Sequence, residues 1–363
     1  TAANFIVFSI SVSPTNPGTY TIRNGTFTQT NIGTGTNYSF YIVPTVAGMT
    51  INISDTVINK TAGTTGGTLV GTYATGSGAP ALTLNNVTYN FTGASNTLTG
   101  AYIYNTLTSF STTNSIYNFN GASATMRGEW FAPSAGTVNG VVSNSQYNYT
   151  GASATMYGVY AIGQIGVSIT GGTYTYTGAS ATMHGVFGTN LASIEVNGGS
   201  FSYTGGPSFV SAVNINEGAS VTTSCLIHGL TGDLGAPYGV GYLIMVGSDV
   251  DPGANANHIT NLRVYNNNLA NSNHGILLGY VTGGVVYNNI TDQTVIGIIS
   301  KYSTNNVYYN NIVKNVTTGG ALRAKGGTGT SFYNNTVTLG ASGVGIYTSD
   351  GATANTFKNN ILY

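Results

Sequence analysis

The 363-residue chain carries nine basic and nine acidic residues, a formal net charge of zero, and only 5 % charged side chains, against about 25 % in ordinary soluble domains. That balance gives no electrostatic footprint for nucleic acid or an anionic membrane, and no apolar run approaches the ~18–20 residues of a membrane-spanning helix. With 26 Tyr, 13 Phe and 41 % hydrophobic residues the chain is too aromatic for disorder, which leaves a folded protein whose polar surface is Thr, Asn, Ser and Gly.

Residues 1–20 read as an extended strand segment. Asn4 to Val12 is apolar, strand-like and uncharged, and Arg23 is the first charged residue. The start, Thr1-Ala2-Ala3, is compatible with the small-residue cleavage site of a removed leader.

Residues 21–206 are dominated by a repeat. Gly93 to Gly100, Gly121 to Gly128, Gly151 to Gly158 and Gly178 to Gly185 are copies of one GASATM-type block, spaced by roughly 27–30 residues as solenoid coils are. Each block follows an alternating aromatic strand: Tyr89-Asn90-Phe91, Tyr117-Asn118-Phe119, Tyr147-Asn148-Tyr149 and Tyr174-Thr175-Tyr176. Period-two alternation puts the rings on one face and Asn or Thr on the other. The rings are therefore expected to stack coil on coil in two columns. Asn24-Gly25, Gly171-Gly172 and Gly198-Gly199 supply corners with positive φ. Inside the block, Ala179, Ala181 and Met183 are expected to share one face. The Thr26, Thr28 and Thr30 row looks like an ordinary outward face, since sister coils place Asn there.

Residues 207–257 break the pattern and read as irregular loops and coils. From 258 to 363 the period shortens: Tyr265-Asn266-Asn267, Tyr287-Asn288-Asn289, Tyr309-Asn310-Asn311, Tyr333-Asn334-Asn335 and Lys358-Asn359-Asn360 recur every ~22–25 residues. Asn tolerates the left-handed conformation, and its amide can bond the amide one coil away to form a ladder. The fold expected is all-β, a right-handed parallel β-helix. These Tyr-Asn-Asn corners, with Asn273-His274-Gly275-Ile276 and Gly343-Val344-Gly345-Ile346, resemble the coils of the pectin-lyase-like superfamily over the last ~105 residues. The composition resembles that of thermophilic archaeal surface proteins.

That superfamily includes polysaccharide lyases and hydrolases, so the resemblance makes Asp249, Asp251, His274 and Arg323 candidate catalytic residues. The paired adjacent aspartates of polygalacturonase-like members are missing, and Arg323 follows His274 by about two coils. An inverting hydrolase needs two carboxylates roughly 6.5–9.5 Å apart, and only Asp249 and Asp251 qualify locally. The reading leans away from an enzyme. Asp233, Asp249 and Asp251 are candidates for a loop Ca²⁺ site; otherwise no cofactor is expected. His184, His228, His258 and His274 show no metal spacing, and His184, in the slot of Arg127 and Tyr157, reads as a variable surface position. Cys225, the only cysteine, excludes an intramolecular disulfide and reads as core.

Trp130, beside Arg127 and Glu129, either stacks on a sugar ring or packs on its neighbour at a loop edge. Asn24, Asn37, Asn86, Asn148 and Asn315 lie in sequons permissive for glycosylation. No amphipathic helix is visible to cap a β-helix end, so Phe5, Val7, Ile361 and Tyr363 are expected at open edges that pair with another chain. The expected function is an extracellular structural subunit, secreted or at the cell surface, assembling head to tail with itself into a filament or surface layer. The alternatives are a carbohydrate-binding adhesin on surface glycans and a polysaccharide lyase or hydrolase.

Overall fold

The computed structural model describes residues 5–10, 18–45, 47–63, 66–104, 107–133, 139–218, 221–235, 240–249 and 259–363. Among these residues there are 35 strands and no helix. The strands pair in parallel, coil on coil, as a β-solenoid of about 12 turns. The described chain groups into two compact units, residues 1–183 and 184–363.

In the first unit the aromatic columns form as the alternation predicts. Tyr89, Tyr117, Tyr147 and Tyr174 are register partners, as are Phe91, Phe119, Tyr149 and Tyr176. All eight are buried, and the successive rings lie parallel with centroids 4.7–5.1 Å apart. The spacing follows from the parallel-strand repeat of about 4.8 Å, which brings flat rings into stacking contact. The final glycine of each block makes room for them. A side chain at Gly100 or Gly128 would overlap the ring of Tyr117 or Tyr147.

The corners use the left-handed conformation where expected: φ is 56° at Asn24, 67° at Gly171 and 73° at Gly198. Asn86, Asn114 and Asn144 take it too, at 54°, 52° and 53°. On the outward face, Asn90 donates to Asn59, Asn118 to Asn90 and Asn148 to Asn118, Nδ2 to Oδ1, at 2.8–2.9 Å. The GASATM block departs from plain alternation. Ala179 and Ala181 are exposed and only Met183 is buried; Ser180 Oγ donates to the Thr182 carbonyl at 2.8 Å and accepts its N–H at 3.2 Å.

In the second unit the segment expected to break the pattern contains the strands Phe209–Asn216, Ser224–His228, Thr231–Asp233 and Val240–Gly247. The Tyr-Asn-Asn corners divide their work between the two asparagines. Asn266, Asn288, Asn310, Asn334 and Asn359 turn the chain with φ of 53–55°. Asn267, Asn289, Asn311 and Asn335 point inward, are buried, and form the expected ladder. Each donates Nδ2 to the Oδ1 of the next, ending at Asn360, at 2.8–3.0 Å. The same Nδ2 groups reach backbone carbonyls of the preceding coil, Val264 O from Asn289 and Val286 O from Asn311. Each Oδ1 also accepts a backbone N–H, as Asn289 does from Asn267. Outside this ladder His228, Tyr265, Tyr287, Tyr309 and Tyr333 stack at 4.6–5.2 Å.

Candidate functional site

The strands Val240–Gly247, Asn268–Gly279, Ile290–Lys301 and Gly320–Lys325 are successive coils of the second unit. Their register sets Tyr242 on His274, His274 on Ile296, and Ile299 on Arg323. Asp249 follows the first of these strands. Its Oδ1 pairs with Lys301 Nζ at 2.5 Å, its Oδ2 accepts the Tyr242 hydroxyl, and its backbone carbonyl takes a second bond from Lys301. Lys301 is only 5 % exposed, so this pair fastens the residues after the strand to the coil surface. Tyr242 packs on His274 with centroids 5.1 Å apart.

His274 has a pKa pushed down to about 4, chiefly by burial, with Arg323 and Lys301 adding to the fall and Asp249 opposing it. It is therefore neutral at physiological pH. Arg323 lies with its guanidinium 5.0 Å from the Tyr347 ring and 3.5 Å from Ser349 Oγ. Asp249, His274 and Arg323 thus share one electrostatic environment, and Asp251 lies outside the described residues. The carboxylate of Asp249 is held by Lys301 and Tyr242. Neither Lys301 nor Tyr242 was singled out by motif, since both lie in ordinary strand positions.

Asp233, the other Ca²⁺ candidate, accepts from Gly235 N–H at 2.7 Å and Asn271 Nδ2 at 2.6 Å. Among the described residues no three His, Cys, Asp or Glu side chains group as metal ligands. Cys225 is buried, as expected of core. His184 is not a surface position. It is 4 % exposed, its Nδ1 shares a 2.6 Å hydrogen bond with Ser211 Oγ, and Phe187 and Phe209 pack around it. Burial pushes its pKa down to about 3.

In the first unit Trp130 sits within the strand Ser123–Ala132, not at a loop edge. Tyr102 stacks on it at 3.9 Å with an interplanar angle of 5°, and the Arg127 guanidinium lies 4.2 Å from its ring centroid. Tyr102 thus covers one face of the ring, and the Arg127 guanidinium lies over the ring as well. Trp130 belongs to an outward row, Tyr41, Tyr73, Tyr102, Trp130 and Tyr160, whose members are register partners. Its neighbour Glu129 points inward and is fully buried, with Tyr117 and Tyr147 donating hydroxyls to its carboxylate at 2.8 and 2.7 Å. A signal for this was present in the sequence: the repeat places Glu129 in the slot of Ala101 and Val159.

Of the sequon residues, Asn24, Asn86 and Asn315 are exposed. Asn148 is half-buried in the outward amide ladder. Asn37 is 4 % exposed and donates Nδ2 to Gly35 O at 3.1 Å, so this folded position has no room for a glycan. At the edges, Ile6, Val7 and Phe8 are 39–40 % exposed on the strand Phe5–Ile10, which pairs with Gly35–Ile42; the Phe5 side chain lies outside the described residues. Ile361, Leu362 and Tyr363 are 50, 46 and 75 % exposed beside Thr336–Leu339.

A pocket of about 450 Å³ lies in the second unit against the paired strands Phe209–Asn216 and Val240–Gly247, with Glu217 and Asp249 both in its wall. No family model matches the sequence, and no curated protein and no solved structure matches it.

Proposed function

We propose that this protein is an extracellular structural subunit, secreted or held at the cell surface, that assembles head to tail with itself by strand pairing. The observation that carries the reading is the apolar character of the exposed outer strands. Ile6, Val7 and Phe8 on one strand, and Ile361 and Leu362 on another with Tyr363 after it, are exposed, and among the described residues each strand pairs with one neighbour, which suits the addition of a further strand. Added strands would cover them, and each fully buried side chain contributes roughly 1.5–3 kcal/mol. Further support comes from the ladders, which make each coil a template for the next, and from a chain with 5 % charged residues, which offers little repulsion. The resemblance of the Tyr-Asn-Asn coils to the pectin-lyase-like superfamily and the exposed sequons at Asn24, Asn86 and Asn315 favour the extracellular setting.

The superfamily's lyase or hydrolase chemistry has less support, because Asp249 is engaged by Lys301. The test is electron microscopy and sedimentation of the purified chain beside a deletion of residues 1–12 and an Ile361→Lys/Leu362→Lys variant. Filaments or sheets from the parent, with folded monomers from both variants, are expected. A parent that stays monodisperse at every concentration, or variants that still polymerise, would overturn the proposal.

A further inference from the structure

Four tyrosines line the outer face of the narrow coils. Tyr265, Tyr287, Tyr309 and Tyr333 are register partners on successive coils. Their neighbours Val264, Val286, Tyr308 and Phe332 are buried, so strand alternation turns the four rings outward, where they are half-buried. The rings are parallel to within 3°, with centroids 4.9, 5.1 and 5.2 Å apart. His228 stacks on Tyr265 and Lys358 is the register partner of Tyr333, so the run of phenols is bounded at both ends. The inner columns are spaced alike but buried, and Tyr89, Tyr117 and Tyr147 have their hydroxyls bonded to Thr72 or Glu129. The outer phenols add access to solvent to the same close stacking.

Two phenols held one coil apart meet the condition for radical coupling. A one-electron oxidant removes an electron from each, and each hydroxyl proton passes to water. The two phenoxyl radicals join through a carbon–carbon bond between ring positions ortho to oxygen. The ring hydrogens at that bond then return to the oxygens and restore both hydroxyls. Each pair loses two hydrogens in all. With a peroxide as terminal oxidant, its O–O bond is cleaved and those two electrons and two protons complete two waters. Because the register holds the partners together, coupling within the chain is favoured over coupling between dilute molecules.

We propose that the outer column is an oxidative cross-linking site, at which consecutive tyrosines join as dityrosine and tie coil to coil covalently, with a peroxide and a haem peroxidase as oxidant and catalyst. The site runs along the coils, so it stands or falls separately from head-to-tail assembly.

The dilute intact chain, treated with a haem peroxidase and hydrogen peroxide, tests this by intact mass, dityrosine fluorescence and peptide mapping. The expected product is a monomer lighter by two hydrogens per link, with peptides joined through Tyr265–Tyr287, Tyr287–Tyr309 or Tyr309–Tyr333. Tyr309→Phe keeps a ring in the stack and should abolish the last two links while Tyr265–Tyr287 still forms. Tyr287→Phe should leave Tyr309–Tyr333 alone. No linked peptide from the column once the peroxide is consumed, links that join other tyrosines in preference, or links found solely between molecules would overturn the proposal.

Discussion

Tyr147 donates its hydroxyl to Glu129 Oε2 at 2.7 Å inside the first unit, where the carboxylate is wholly buried. Tyr117 serves the other oxygen at 2.8 Å. These bonds favour the ionised form, yet burial outweighs them and raises the Glu129 pKa from 4.5 to about 7.

The folded state therefore holds this proton more tightly than the unfolded chain. Its contribution to stability is fully present below pH 4.5 and is lost as the pH rises towards about 7. The difference amounts to about 3 kcal/mol. Other groups titrate in the same range, so the expected result is a difference between two denaturant profiles. Glu129→Gln should gain on the parent as the pH rises from 4.5 to about 7. A constant difference across that window would show that Glu129 is ionised throughout.

His184 works in the opposite sense. Its folded pKa is depressed to about 3 from 6.5, so its contribution is present above pH 6.5 and is lost as the pH falls through the folded value. His184→Gln should remove an acid destabilisation on the order of 5 kcal/mol. Chemical-shift titration of the His184 ring checks the assignment directly; a transition near pH 6.5 would refute it.

The paired asparagines of the narrow coils should answer differently to mutation. Asn289→Ala removes a buried link that bonds Asn267, Asn311 and two backbone carbonyls, and is expected to cost roughly 2–4 kcal/mol. Asn288 only turns the chain, with φ of 55°. Asn288→Gly should be close to neutral and Asn288→Ala should cost about 1–2 kcal/mol. Thermal melts of the three variants separate the two roles, and equal losses for Asn289→Ala and Asn288→Gly would contradict the assignment.

Gly128→Ala tests the room left for a ring. The new methyl would meet Tyr147 and the backbone of Gly158, so a loss of about 1–3 kcal/mol is expected. Fluorescence of the nearby Trp130 should report the displacement. An unchanged melting temperature would mean that the column yields without strain.

The parallel coils, the aromatic columns and the Asn ladder were legible because each is written once per coil, and the repeat supplies the alignment. What escaped lies where one coil departs from its sisters. Glu129 takes a slot filled by Ala101 and Val159, and Lys60 aligns with Phe91 inside the first unit. A charged residue suggests the surface until its phase is compared with neighbouring coils. Lys60 is 1 % exposed, donates to the Asn37 carbonyl at 2.7 Å, and is pushed well below the usual lysine pKa by burial. His184 misled in the same way. The pocket was invisible because its wall joins Asn214, Glu217 and Asp249 through coil-to-coil register, and no spacing motif marks that juxtaposition.

The Asn ladder also has a mechanical consequence. Bonds that run from each narrow coil only to its neighbours lie in series when the second unit is pulled from its last residue. The links at Asn335, Asn311 and Asn289 would break one after another rather than together. Coils such as those of Tyr287 and Tyr309, partners in register, would each release roughly 70–80 Å of extended chain. A single-molecule pulling trace of this unit should show a train of small, evenly spaced steps, whereas one large rupture would mean that the coils share the load.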